Sequence, residues 1–335
     1  MTAACSKGGG EIPPYEPSGI NLTAGAAYAN CFIVDGAGDY WFEARHVDGS
    51  AVQDAVAADW VWSTDDADPD GLISEVEWHD GIISFKASEG RGNALIAAFD
   101  SDGEVVWSWH VWLTEQPALQ TMDNGTVFMD RNLGAMSAAP EDVAKTYGLK
   151  YQWGRKDPFY GGDVNEEEGA AFSQARAATV FNPACGFDWA VAESDPSVGT
   201  MEFAAANPCT FIYSEDKENG CDWLAVRNDW LWCDEATGAK TNHDPCPAGY
   251  IVAFDGAWEG CGYWNVDDDP VNGGRTHVTE SGDSSTMSVR TEPVPSGCAL
   301  LSTPVTTQAA STIIRVPTLP RAMRCTGPMV RRCVV

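Results

Sequence analysis

The residues Asp66-Ala67-Asp68-Pro69-Asp70-Gly71-Leu72-Ile73-Ser74-Glu75-Val76-Glu77 place oxygen-bearing groups at the spacing that a hard cation requires. Asp66, Asp68, Asp70 and Ser74 offer side-chain oxygens at loop positions one, three, five and nine. The Leu72 carbonyl falls at position seven, Gly71 at the turn and Glu77 at position twelve. Calcium is the ion such a set would hold. The flanks read differently: Trp60-Val61-Trp62 before the loop and Trp78 with Ile82-Ile83 after it look like strands, not the paired helices of an EF-hand. An acidic β-turn that matches the pattern is therefore the competing reading, and no cofactor is required by the chain as a whole.

Other chemistry is thinly marked. Asp267-Asp268-Asp269 and Glu166-Glu167-Glu168 are charge runs of the kind that loops expose to solvent. His46, His79, His110, His243 and His277 form no metal spacing. No P-loop, dinucleotide glycine motif or nucleophile elbow occurs. No pair of carboxylates is singled out for glycoside hydrolysis, because their separation is set by the fold. The expectation is a protein without catalytic residues. Aromatic rings offer a different function: Trp223, Trp230, Trp232, Trp258 and Trp264 sit in loop-like surroundings, where exposed rings hold sugars or partner proteins. Four of these, Trp223, Trp230, Trp258 and Trp264, are the ligand-binding candidates, set against the plainer reading that they fill core.

The eleven cysteines contain no C-x-x-C pair, which disfavours zinc and redox sites. Several between Cys185 and Cys261 could pair in an oxidising compartment, with connectivity left open. Cys31, inside Asn30-Cys31-Phe32-Ile33-Val34, reads as a buried free thiol. Met1-Thr2-Ala3-Ala4-Cys5-Ser6-Lys7 looks like the end of a bacterial lipoprotein signal, with Cys5 as the acylated residue, although the apolar stretch of such a signal is missing. An ordinary disordered N-terminus is the alternative.

The elements that must carry these groups are mostly strands. A chain of 335 residues suggests two domains of ordinary size. Fourteen Trp and 33 Gly among many short β-type runs point to a β-rich secreted protein. No hydrophobic run approaches the roughly 20 residues needed to span a bilayer, so membrane attachment would be by lipid only. A net charge of −29 argues against nucleic acid, whose phosphates would be repelled.

Residues 1–18 read as lipoprotein-type N-terminus and linker, with Gly8-Gly9-Gly10 and Pro13-Pro14. From 19 to 115, alternating apolar runs predict an antiparallel sandwich, with strands over 30–34, 39–44, 60–63, 72–78, 82–86, 94–99 and 105–113. In the last of these Val105, Trp107, Trp109, Val111 and Leu113 share one face, and Ser108 and His110 share the other with Val106 and Trp112. Asp102-Gly103 closes a hairpin. A boundary follows at Gln116-Pro117 and Asn124-Gly125. Residues 122–286 read as α+β with heavy loops and a helix start at Pro140-Glu141-Asp142.

The tail 287–335 differs from everything before it. It carries +5 against −34 for residues 1–286, has no Phe, Trp or Tyr, and contains six Pro. A globular domain that loses every aromatic loses the side chains that dominate its core. The tail reads as the product of a slipped frame, poorly folded, in preference to a basic arm folded onto the acidic body.

Three phrases combine into a resemblance. Phe128-Met129-Asp130-Arg131-Asn132-Leu133-Gly134-Ala135, then Gly148-Leu149-Lys150-Tyr151-Gln152-Trp153-Gly154-Arg155-Lys156-Asp157-Pro158-Phe159, then Asp244-Pro245-Cys246-Pro247-Ala248-Gly249-Tyr250, resemble the Fibrobacter-type major paralogous domain in order and kind. The resemblance covers about residues 20–265. It implies a C-type-lectin-like fold after an Ig-like β-sandwich, as in surface and fimbrillin-like lipoproteins of Bacteroidales-type bacteria. The sugar-binding triplets of true C-type lectins are absent, and Val330-Arg331-Arg332-Cys333-Val334 only echoes the family's closing strand. The fold class expected is thus mainly β: an N-terminal Ig-like sandwich, then an α+β C-type-lectin-like domain with long loops. The function expected is non-enzymatic binding or adhesion at the outer membrane of a Gram-negative bacterium, as a pilus accessory or tip-like component. Its partners would be a glycan, a host or partner protein, or pilus subunits. The alternative is a glycan-binding lipoprotein that serves carbohydrate uptake.

Overall fold

A computed structural model describes residues 15–64, 71–121, 125–138, 145, 148–160, 179–216, 219 and 222–253. Three short strands, at 263–264, 278–279 and 313–315, are described by their backbone alone. Cys5, Asp66, Asp68, Asp70, Trp258, the helix start at 140–142 and nearly all of the tail lie outside the described residues, as does the Trp264 side chain.

The architecture is mainly β. Strands β1 (Ile20–Asn21), β3 (Gly38–Glu43), β6 (Ile82–Ala87) and β5 (Ile73–His79) form one sheet in that order. A second sheet has the order β11 (Thr179–Phe181), β4 (Ala57–Thr64), β7 (Gly92–Phe99), β8 (Val105–Leu113), β2 (Cys31–Val34). The two sheets face each other across a core in which Phe32, Phe42, Ile83, Phe85, Ile96, Trp109 and Val111 interdigitate. Alternation places these residues: each strand sends every second side chain to the same face. Phe42 meets Trp109 at 5.2 Å between ring centroids, a tilted aromatic packing.

The strands fall close to where alternation places them, and β8 has the predicted bounds. The expectation of an antiparallel sandwich needs one correction. β2 pairs with β8 in parallel, Cys31 opposite His110 through Val34 opposite Leu113, and β1 pairs with β3 in parallel. The reason is topological: β2 and its successor β3 lie in different sheets, so the pair does not close as a hairpin. β2 instead reaches the free edge of β8 running in the same direction.

The second sheet is covered on both faces. β7 and β8 are buried along almost their whole length, which fits their nearly continuous apolar sequence. Their outer face packs on the second half of the chain, where Trp62, Leu95 and Trp112 join Met129, Leu133, Tyr151, Phe159, Trp189, Phe211 and Trp232 in one cluster. β11 comes from that second half and extends the sheet at its β4 edge, Val180 opposite Ser63.

Around this seam lie β9 (Leu119–Thr121) and β10 (Val127–Met129), paired antiparallel. Strands β12 (Ala190–Glu193) and β13 (Thr210–Tyr213) pair in parallel. β14 (Tyr250–Val252) and β17 (Ile313–Arg315) join β10 in a small sheet, and β15 (Tyr263–Trp264) pairs with β16 (Val278–Thr279). Helix α1 (Met201–Ala206) is capped by Thr200, whose hydroxyl accepts from the Phe203 N–H at 3.1 Å.

Candidate functional site

The charged side chains that sequence alone would leave in solvent converge on the seam. Loop 150–159 is closed by paired backbone bonds, Lys150 N–H to the Phe159 carbonyl at 2.9 Å and Phe159 N–H to the Lys150 carbonyl at 2.7 Å. Between them Gly154 adopts φ +82°, beside Leu231, so that the chain reverses tightly. The reversal turns Tyr151, Gln152, Arg155, Lys156 and Asp157 inward, and all five are buried.

Lys156 and Asp157 form the centre. The Lys156 ammonium lies 2.7 Å from Asp157 Oδ1, and Ser108 Oγ donates to the same carboxylate oxygen at 2.6 Å. Lys156 Nζ also reaches the Ser108 carbonyl at 3.1 Å and its hydroxyl at 2.5 Å, and stands 4.4 Å from the centre of the Trp107 ring. Burial pushes the Lys156 ammonium down, and the Asp157 carboxylate opposes that push. All three ammonium protons have acceptors, so the cation is held with its charge compensated. Ser108 is wholly buried, and its hydroxyl is committed to this pair.

Two histidines flank the same tryptophan. His46 packs edge-on against Trp107 at 4.4 Å, and His243 lies 5.9 Å from it. Burial lowers both, His243 to about 4 with the neighbouring Lys156 cation adding to the effect. His46 Nδ1 is buried with no partner among the described residues. Trp107 Nε1 donates to Asn30 Oδ1 at 3.1 Å, and Asn30 Nδ2 donates to the carbonyls of Asn242 and Asp244, each at 2.8 Å. Asn30 thus ties the sandwich to the third sequence phrase.

Further along β8 the pattern repeats. His110 Nε2 meets Asn93 Oδ1 at 2.8 Å, Asn93 Nδ2 donates to the Gly134 carbonyl at 2.9 Å, and Trp112 Nε1 donates to the Ala135 carbonyl at 3.0 Å. Burial drives His110 down to about 3, so the ring is neutral. Arg131 grips Asp130 through two bonds, Nε to Oδ1 at 2.9 Å and Nη2 to Oδ2 at 3.2 Å, and reaches back to Thr114 Oγ1 at 3.1 Å and Glu115 Oε1 at 2.5 Å.

Arg155 and Gln152 do the equivalent work deeper in. Gln152 Nε2 donates to the Ile212 carbonyl at 2.6 Å while its Oε1 accepts from the Ile212 N–H at 3.0 Å, so the amide behaves as an added strand beside β13. Arg155 Nη2 donates to the carbonyls of Ala204 and Asn207 at the C-terminal end of α1, where a cation suits the helix dipole.

The predicted site residues meet different ends. Trp223 is buried, donates from Nε1 to the Trp153 carbonyl at 2.7 Å and stacks near the Arg155 guanidinium, which corrects its reading as a surface ligand-holding ring. Trp232 is buried too, with Nε1 donating to the Arg155 carbonyl at 3.0 Å. Trp230 is half-buried. The structure does not bring these rings together on one exposed face. In the cation pattern, Leu72 has its side chain in the sandwich core and its carbonyl accepts the Ser88 N–H at 3.0 Å, while Ser74 and Glu77 are exposed on β5. Glu77 Oε2 pairs with His79 Nε2 at 2.9 Å. Among the described residues no group of three or more His, Cys, Asp or Glu side chains is arranged to hold a metal.

Ser108, Lys156 and Asp157 were not singled out by spacing. The sequence signals for them are Ser108 on the second face of β8 and Lys156-Asp157 inside the second phrase of the family resemblance, neither of which marks a cluster. No protein-family model, curated protein or solved structure matches this chain.

Proposed function

We propose that the protein is a non-enzymatic binding and adhesion protein of the bacterial cell surface, attached to the outer membrane by lipid on Cys5 and working as an accessory or tip-like pilus component. The observation that supports this reading is the use to which the seam's charges are put. The hydrogen bonds of Ser108 with Lys156 and Asp157, of Asn93 with the Gly134 carbonyl and of Arg131 with Thr114 join the two halves of the chain. A catalytic constellation leaves a nucleophile or base facing a space that substrate can enter. Here the hydroxyl, ammonium and carboxylate that most resemble one are enclosed and mutually satisfied. The sandwich and its partner therefore serve as a stiff body that displays loops, which is what a surface binding protein needs. The three phrases that resemble the Fibrobacter-type major paralogous domain agree with this: their residues are nodes of the seam.

Fractionation of the native host with protease shaving of intact cells, together with co-purification of filament subunits, tests the reading. Surface accessibility and recovery of filament subunits are expected, and a protein found only inside the cell would overturn it. Binding to a defined set of sugars on a glycan array, without filament subunits, would shift the assignment to glycan capture.

A further inference from the structure

We propose that Tyr15 latches the N-terminal segment across the outer face of the first sheet, so that the chain ahead of residue 15 leaves the body over β5 and β6. The Tyr15 ring lies stacked on the His79 imidazole, 3.6 Å between centroids and 13° between planes, and its hydroxyl donates to Ser84 Oγ at 3.3 Å. His79 is itself held from the side, with Nε2 at 2.9 Å from Glu77 Oε2. Ser84, Glu77 and His79 share the face turned away from the core. Ser84 stands between Trp41 and Glu77, and His79 stands opposite Ile82, while Ile83 and Phe85 point into the sandwich. Four residues further on, the segment is pinned a second time. Gly19, at φ +92°, presses so closely on β3 that a Cβ would lie 2.0 Å from the Asp39 carbonyl oxygen. β1 then pairs with β3, Ile20 opposite Tyr40 and Asn21 opposite Trp41.

The two pins lie on different strands, so the segment between them crosses the sheet as a strap. From the boundary of β5 and β6 to the outer edge of β3 is about two strand spacings, roughly 10 Å, and four residues at about 3.3 Å each reach that far. Pro17, half-buried in the middle of the crossing, stiffens it by fixing φ. Tyr15 belongs to neither hydrophobic core of the sandwich or seam and stays 41% exposed. One aromatic stack and one hydrogen bond therefore hold the leading end of the strap down. Without them the chain would leave the body at the β1 edge of the sheet; latched, it leaves from the opposite side, beside the edge strand β5. The exit point decides which way the body faces relative to whatever holds its N-terminal end. Taken with the lipid attachment proposed above, on which this last step rests, the first sheet faces the membrane and the second half of the chain faces outward.

Full-length protein labelled with 13C-histidine tests the latch, with or without lipid. The chain has five histidines, so the ring signals are few, and His79→Gln identifies the one in question. The stacked phenol ring shields the His79 ring protons and holds them upfield. Tyr15→Ala should move them downfield, whereas Tyr15→Phe, which keeps the ring and loses the Ser84 bond, should leave them upfield. A glutamyl endopeptidase reaches the bond after Glu16 only when the strap lifts from the sheet. It should cut there roughly tenfold faster in Tyr15→Ala than in the wild type, with Tyr15→Phe between the two. His79 signals that stay in place in Tyr15→Ala, or cleavage after Glu16 that is equally fast in the wild type and Tyr15→Ala, overturn the proposal. Neither readout depends on where the protein resides, so a failed latch and a failed cell-surface reading show in separate experiments.

Discussion

Lys156 and Ser108, 48 residues apart in the chain, meet in the seam so that the ammonium contacts both the carbonyl and the hydroxyl of the serine, at 3.1 and 2.5 Å. The same ammonium neutralises Asp157, so the three groups depend on one another. Removing only the cation strands a buried carboxylate. Lys156→Met is expected to lower stability by about 3–5 kcal/mol, the usual consequence of breaking a buried pair from one side. The double variant Lys156→Met/Asp157→Leu should recover much of that loss, because no uncompensated charge remains. Urea denaturation of the three proteins checks this, and additive losses would refute mutual dependence.

Acid should loosen the seam before it protonates the surface carboxylates. His110 binds a proton only near pH 3 when folded, against 6.5 for an unburied ring, and His243 only near 4. Both values are depressed, so the unfolded chain takes up protons that the folded chain refuses. Their contribution is fully present above pH 6.5 and is lost as the pH falls toward 4. Each ring contributes a slope of up to about 1.4 kcal/mol per pH unit in that window. Urea midpoints measured between pH 7.5 and 5 should fall accordingly, and His110→Gln should flatten the fall.

Gly134 sits at φ +84°, and a Cβ there would lie 2.5 Å from Leu149 Cγ. Its carbonyl is also the acceptor for Asn93. Gly134→Ala therefore meets both backbone strain and overpacking, and should cost about 2–4 kcal/mol. Gly103→Ala also strains a positive φ, but a Cβ there meets nothing within 4 Å, so the alanine should cost clearly less. Equal losses in thermal denaturation would show that packing against Leu149 is unimportant.

Calcium is expected to leave the protein unchanged. The Leu72 carbonyl already accepts the Ser88 N–H and its side chain is buried in the sandwich, while Ser74 and Glu77 lie exposed along β5, so these described residues of the 66–77 pattern are held as strand. Isothermal titration with millimolar calcium should give no saturable heat. A heat abolished by Asp70→Ala would restore the loop as a binding site.

The strands of the sandwich could be read from the sequence because apolar alternation in β3, β6 and β8 is a direct projection of the pleat. What lay across the second face of β8 could not. Ser108 and His110 are covered by Asp157 and Tyr151, 49 and 41 residues away, and alternation holds no record of such distant partners. Arg155-Lys156-Asp157 entered only as part of a family phrase, because nothing local in a run of charges records the chain reversal at Gly154 that turns it inward. The tryptophans fail differently. Loop-like neighbours around Trp223 suggest exposure, but long loops here pack their own rings inward.

The parallel pairing of β2 with β8 has a mechanical meaning. A pull applied through the chain ahead of Cys31 and the chain beyond Leu113 loads opposite ends of one parallel ladder. The strands are then asked to slide past each other, and the ladder bonds from residue 31 to residue 34 resist together. In an antiparallel hairpin such as β7 and β8, a pull on the two free ends opens the bonds one after another. Rupture under load is a matter of unfolding rate, not equilibrium stability. A protein tethered at its N-terminal end and tugged from its far side would hold by shear.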